Sequence, residues 1–425
     1  MMLKQNQAQL RAHNTSLVLE TILRDQPISR ADLARSTLLN KVTISDIVKE
    51  LLDNNLIKEI GMGESSGGRR PTMLKQNEKA GFALAVNLAP GELTILATWL
   101  DGCPIERELS KTFPLDREKT IPMLIEAVTQ MLDMLPAPVE QSPAVGKPRL
   151  MKVDDNPKDC VPLVGIGVAI HGNVFEDKIL FTPHYDLANL NLCEDLREHF
   201  GVPVHLGNEA NFSALGELGA GTVSDHSIII SIHSGIGAGL IRNGQLDVGS
   251  HGYAGEVGHT IVVPDGVPCP CGNQGCVEQY ASNWAMRNLY RKLSRNPKAT
   301  LRDLIIGFEA NEPSAITCTI QFIQYLAILV NNLSQTLDPE TIIINSRMTA
   351  AIPELIPSII SNQMSKLAVP AIIEASKLGD PAILYGGIFE VVRDFYGTKR
   401  ITFPYFNVQN QANTLSINQD NEMIV

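Results

Sequence analysis

Apolar side chains near the front of the chain recur at helical steps. Leu17, Val18, Thr21, Ile22 and Leu23 make one side of a helix predicted over Asn14 to Asp25, and Pro27 ends it. Ser29, three residues before Asp32, forms a carboxylate version of a capping box and opens a short helix with Ala31, Leu33 and Ala34 facing inward. Asn40 caps a third helix, in which Ile44, Ile47, Val48, Leu51 and Leu52 repeat at three- and four-residue spacing. Its start is polar: Lys41, Thr43, Ser45 and Asp46. Leu56 to Ile60 reads as a strand, Gly61 to Gly68 as a turn leading to Arg69 and Arg70, and Thr72 to Lys75 as a second strand. Three short helices followed by a basic hairpin predict a winged helix-turn-helix over residues 1–77. The Gln- and Asn-rich Met1 to His13 is expected to be a mobile arm.

From Gly81 the pattern changes to apolar strands alternating with helices and Gly-rich turns, an α/β signature. Strands are expected at Phe82 to Leu88, Leu93 to Leu100, Val164 to Ile170, Val202 to Leu206, Ser227 to His233, Gly239 to Ile241 and Thr341 to Ile344. Helices are expected at Lys119 to Leu135, Leu192 to Phe200, Ala281 to Leu293 and Ile316 to Leu337. Pro136 to Pro162 has no period and reads as a long surface loop, and the last twenty or so residues as a loosely attached tail.

Composition narrows the class. With 425 residues, 44% of them hydrophobic and 19% charged, the chain has about three domains' worth of material and can bury real cores. No apolar run approaches the roughly 18 to 20 residues of a bilayer span, and the start lacks an apolar signal region. A cytoplasmic protein with no membrane partner is expected. The net charge of −11 excludes a protein that coats nucleic acid over its whole surface. Charge is uneven, however: residues 1–77 carry 11 Lys and Arg against 8 Asp and Glu, whereas the rest carry 24 against 38. Only the front end approaches phosphate comfortably. A helix start with small polar side chains fits the major groove, and a two-arginine wing reaches the backbone or minor groove. Lys41, Thr43, Ser45, Arg69 and Arg70 are therefore the candidate DNA contacts.

Seven cysteines is an odd number, and three of them crowd into a few residues. Within Gly258 to Cys276, His259, Cys269, Cys271 and Cys276 offer one imidazole and three thiolates, with Pro and Gly between the cysteines to fold a short loop back. That is a closed tetrahedral zinc set, hence a structural ion.

The segment EVGHTIVVPDGVPCPCGNQGCVEQYAS, Glu256 to Ser282, closely resembles the signature of the ROK family of repressors, open reading frames and sugar kinases. The resemblance extends to Leu206 to Asn211, to Ser234 to Gly239 and to the wing Gly67 to Pro71, and so covers nearly the whole chain. NKVTIS, SSGGRRP and NEAN are together similar to the xylose-responsive repressors of Gram-positive bacteria. The resemblance implies a two-lobed α/β domain of the actin and hexokinase (ribonuclease H-like) type. Residues 78–206 with 386–425 would form the first lobe. Residues 207–385 would form the second, with the zinc site and a dimerisation surface. It also implies a monosaccharide between the lobes, held by Asn208, Glu209, Glu256, His259 and Glu278. Carboxylates and amides suit that ligand, because vicinal hydroxyls both donate and accept.

A ROK kinase needs a phosphate loop, commonly Asp-x-Gly-Gly-Thr, after its first strand; here the position reads Asn87-Leu88-Ala89-Pro90-Gly91. The kinase general base is usually Asp, and Glu209 stands there; Asn345-Ser346-Arg347 stands where kinases tend to carry glycines. No catalytic residues are assigned. The expectation is a repressor, a homodimer or tetramer on operator DNA, released when a monosaccharide closes the lobes, and serving xylose or related sugar-utilisation genes. The alternatives are an ATP-dependent sugar kinase and a repressor governed by a protein partner, its cleft vestigial.

Overall fold

The structure, a computed structural model, describes residues 2–63, 70–106, 108–114, 116–135, 139–140, 150–152, 160–183, 186–367 and 371–406. Helix α1 runs Met2–Asp25, so the stretch expected to be a mobile arm is helical and continuous with the apolar-periodic part. A short strand β1 (Ile28–Ser29) follows, then α2 (Arg30–Thr37) and α3 (Lys41–Asp53). Both expected caps form: Ser29 accepts from the Asp32 N–H and Asn40 from the Thr43 N–H. Strands β2 (Ile57–Met62) and β3 (Thr72–Gln76) complete an antiparallel sheet of order β1-β3-β2. Val18, Ile22, Leu33, Ile44, Val48, Leu51, Ile57 and Leu74 fill the space between helices and sheet. Ala31, expected to face inward, is exposed, because Leu33 and Thr37 are the residues of α2 that point at the core. Residues 64–69, including Arg69, lie outside the described residues.

The next unit is a mixed sheet built from β4 (Phe82–Ala89), β5 (Gly91–Trp99), β6 (Leu109–Phe113), β7 (Val139–Glu140), β8 (Leu150–Lys152) and β9 (Cys160–Ile170). Helix α4 (Thr120–Met134) lies between β6 and β7. Parts of the expected loop 136–162 are therefore strands: β8 pairs antiparallel with Cys160–Pro162 at the start of β9. After the hairpin β10 (Asn173–Phe175) and β11 (Lys178–Phe181) come α5 (Leu192–Phe200) and β12 (Val204–Asn208), which pairs parallel with β9.

Helix α6 (Glu209–Gly219) leads to a second sheet of order β15-β14-β13-β16-β17, from β13 (His226–Ile232), β14 (Ile236–Arg242), β15 (Gln245–Leu246), β16 (Thr341–Ser346) and β17 (Ile372–Ala375). Helices α7 (Glu278–Ala281), α8 (Asn283–Ser294), α9 (Leu301–Glu309), α10 (Pro313–Leu337), α11 (Arg347–Ala351) and α12 (Leu355–Asn362) belong to this half. Helix α10 is long and apolar enough to cross a membrane, which corrects the expectation that no segment reaches that length; half of its most apolar window is buried inside the fold, against α8, α9 and α12.

Helix α13 (Ala382–Tyr396) returns to the first sheet and crosses α6 at close range. A Cβ at Gly386 would lie 1.8 Å from the Phe212 carbonyl oxygen, and one at Gly216 2.0 Å from that of Ala382. Only glycine lets the two backbones approach so near. Beyond Gly397, Ile401, Phe403 and Phe406 are buried, so the chain stays packed as far as Phe406; residues 407–425 lie outside the described part.

Candidate functional site: a cysteine-histidine loop beside a carboxylate cleft

Between β15 and α7 the chain makes few regular hydrogen bonds and is held by turns. Cys269 N–H donates to the Asn273 carbonyl (2.8 Å) and Gly275 N–H to that of Val267 (2.9 Å). Gly275 sits at φ +81°, where a Cβ would be 1.6 Å from the Val263 carbonyl oxygen, so the turn requires glycine. The fold-back gathers His259, Cys269, Cys271 and Cys276, with ligand atoms within 4.8 Å of one another. His259 Nδ1 is 3.6 Å from Cys269 Sγ, and Cys271 Sγ is 3.7 Å from Cys276 Sγ. Bonds of about 2.3 Å to one tetrahedral ion put sulfurs roughly 3.8 Å apart, so the donor set can hold a metal ion.

Since Nδ1 faces the thiols, the other imidazole nitrogen turns outward: His259 Nε2 lies 3.7 Å from Glu256 Oε2. Glu256 follows Gly255 and is half-buried. Burial pushes its carboxyl above the usual range, His259 pulls it back, and the charges of Glu278 and Glu209 push it further up. Glu278, at the start of α7, accepts the Ile236 N–H (2.9 Å) and lies over Gly235, where a Cβ would be 2.5 Å from its carboxylate. Glu209 opens α6 and pairs with His171, whose Nε2 is 3.3 Å from Asn87 Oδ1. Asn208 caps α6, its Oδ1 accepting from Ala210 N–H (2.8 Å), while its Nδ2 donates to the Gly172 carbonyl (2.7 Å). Glu209, Glu256, His259 and Glu278 thus lie close enough for their charges to be felt at Glu256, with Asn208 adjoining Glu209 at the start of α6. Asn208 has most of its capacity spent on backbone, leaving one free N–H for a ligand.

Sequence reasoning missed His171. Its signal was position: it follows β9 at the carboxyl end of a strand in an α/β sheet, where ligand-facing side chains collect. At the expected phosphate loop, β4 and β5 close directly through Pro90 and Gly91, pairing Ala89 with Glu92. On the first domain, Lys41 is exposed at the first turn of α3, Thr43 is half-buried, and Ser45 Oγ donates back to the Lys41 carbonyl (2.8 Å). Val42, not singled out by sequence, is 71% exposed there. Arg70, the first described residue after 64–69, is exposed.

Residues 150–392 match the model of the ROK family. The chain is 34% identical over 357 residues to the xylose repressor of Bacillus spizizenii, across 83% of this chain and 87% of that one. A solved ROK family transcriptional regulator, a homologue of the E. coli MLC protein, superposes with a TM-score of 0.73 at 24% identity, covering 91% and 97% of the two chains. A ROK glucokinase from Streptomyces griseus, solved with glucose and AMPPNP, gives 0.61 at 22% identity over 72% and 98%. Both solved structures share the actin- and hexokinase-like α/β architecture seen here, and the N-terminal helices fit a helix-turn-helix.

Proposed function

The chain belongs to the ROK family, and we propose that it is a sugar-responsive transcriptional repressor whose winged helix-turn-helix reads operator DNA and whose interlobe cleft reads a monosaccharide. Xylose is the effector that similarity to the xylose repressors favours. The observation that carries the reading is physical continuity. The buried residues of the first domain, such as Val18, Ile22 and Leu74, join one hydrophobic cluster with Ile388, Val392 and Tyr396 of α13. Helix α13 crosses α6, and α6 begins at the cleft residues Asn208 and Glu209. A shift between lobes therefore reaches the DNA-reading domain through packed backbone rather than through a loose linker.

The carboxylates of Glu209, Glu256 and Glu278 are suited to hold hydroxyls, with His259 oriented among them. His259, Cys269, Cys271 and Cys276 would hold a zinc ion that fixes this imidazole and loop; no open position remains for a substrate. Phosphoryl transfer fits poorly, since the β4–β5 turn offers Pro90 where a backbone donor is needed and Asn87 is engaged by His171. Lys41, Thr43, Ser45, Arg69 and Arg70 contact the duplex in this reading, and Val42 is placed to meet a thymine methyl. A homodimer in the cytoplasm would set two reading heads on paired half-sites.

A hundredfold loss of DNA affinity needs about 2.7 kcal/mol of coupling, within reach of a few hydroxyl hydrogen bonds made in one state only. Gel shifts on DNA selected by the protein from random sequence, repeated with xylose, glucose and N-acetylglucosamine, test the reading. One sugar should weaken binding, and unchanged affinity across the panel would reject it.

A further inference from the structure

Asn208, Asn211, Phe212 and Leu215 recur at three- and four-residue steps along one side of α6, and they face a second space. This open cavity of about 500 Å³ is also lined by Phe175 from the β10–β11 hairpin and Val248 after β15. Glu209 turns instead to His171, so Asn208 stands between the carboxylate cluster and the cavity and belongs to both. A space of that size holds roughly 15 waters at about 30 Å³ each, or a ring-sized organic group.

Asn211 says what the space prefers. It is only 7% exposed, its carboxamide makes no side-chain hydrogen bond among the described residues, and it lines the cavity. Two N–H donors and a carbonyl acceptor are thus held, nearly buried, toward an occupant that can both donate and accept. Of the acids at the wall, Asp177 is paired with Arg197 and accepts the Leu206 N–H, Glu390 is paired with Arg393, and Glu176 is exposed. No Lys or Arg lines the space, so it does not suit an anion, and the nearly buried amide favours an uncharged group. Phe175, Phe212, Leu215 and Val248 provide an apolar surface beside the amides. An uncharged group with hydroxyls at its edge and C–H on its face is a pyranose ring.

We propose that this cavity is a subsite for the second ring of a glycoside whose first ring occupies the carboxylate cleft, which makes a disaccharide a stronger effector than its monomer. The proposal rests on the sugar-sensor reading given above. Calorimetry on the full chain should compare xylose, glucose and N-acetylglucosamine with their β-1,4-linked dimers. One dimer is expected to bind at least about tenfold tighter than its monomer, the gain that one or two hydrogen bonds and buried apolar area supply. Asn211→Leu should remove that advantage and leave monomer affinity within about twofold. Val248→Trp, which fills the cavity from a half-buried loop position, should do the same if the Asn211 variant folds poorly. Dimers that bind no tighter than monomers overturn the subsite alone, as does a variant that weakens both ligands equally. Silence from every monomer and dimer overturns the sensor reading and the subsite with it.

Discussion

His259 shows how one side chain serves two neighbours: Nδ1 faces the thiols and Nε2 faces Glu256. Losing the proposed zinc should therefore cost more than local order. Cys271→Ser, or prolonged chelation, is expected to lower the melting temperature and abolish the calorimetric signal of sugar binding together; a variant that loses zinc by elemental analysis but binds sugar normally would contradict this. Glu256→Gln removes a charged acceptor, and sugar affinity should fall by roughly 10- to 100-fold with the zinc content unchanged. A pH effect is expected deeper inside. Glu217 is fully buried on α6, with Ser376 and Thr222 as hydrogen-bond partners, and burial pushes its carboxyl above the ordinary range despite them. The neutral form is then the one the fold favours. Its contribution is complete below the unfolded carboxylate range and is lost as pH rises through the raised value. Glu217→Gln should flatten this fall in stability with rising pH in melts taken from the ordinary carboxylate range upward. At this scale the sequence was readable where chemistry is compact. The metal loop could be read because its ligands lie close along the chain, whereas His171 and its pairing with Glu209 depend on two strands meeting.

Among the elements, helices α1, α3, α5 and α10 were visible because each buries one stripe and exposes the other. Helices α6 and α13 were not. Both are buried on nearly every side, and each carries glycines mid-helix, which in one dimension read as breaks. Those glycines are the reason the helices can cross. Gly386→Ala would drive a Cβ into the Phe212 carbonyl, a backbone atom that cannot swing aside. Stability should drop by about 1 to 3 kcal/mol or more in urea melts, and a variant as stable as the parent would show that the crossing yields more easily than its geometry suggests. The strands β7 and β8 escaped notice for a different reason: they are two and three residues long, too short to show alternation.

For the whole molecule, the seam between the DNA-reading domain and the lobes is a buried polar joint within an apolar surround. The Gln76 side chain donates to the Leu100 carbonyl (2.9 Å) and to the Tyr396 hydroxyl (3.1 Å), and at its exposed edge the Lys399 N–H donates to Glu20 of α1 (2.9 Å). Tyr396→Phe removes one of these bonds without creating a large cavity. Sugar affinity should remain, while the drop in DNA affinity caused by sugar should shrink severalfold, in line with about 1 kcal/mol for a neutral hydrogen bond. An unchanged drop would place the coupling elsewhere. Lys41→Ala and Arg70→Ala should each reduce the salt slope of DNA binding by about 1. The change of texture after residue 77 was legible in the sequence, but this seam was not, because its partners come from opposite ends of the chain. Recombination that tries to give this reader a new sensor cannot simply splice after Asn77: without the matching stretch encoded hundreds of codons downstream, the transplanted piece would arrive with an oily flank bare and nothing to lean on.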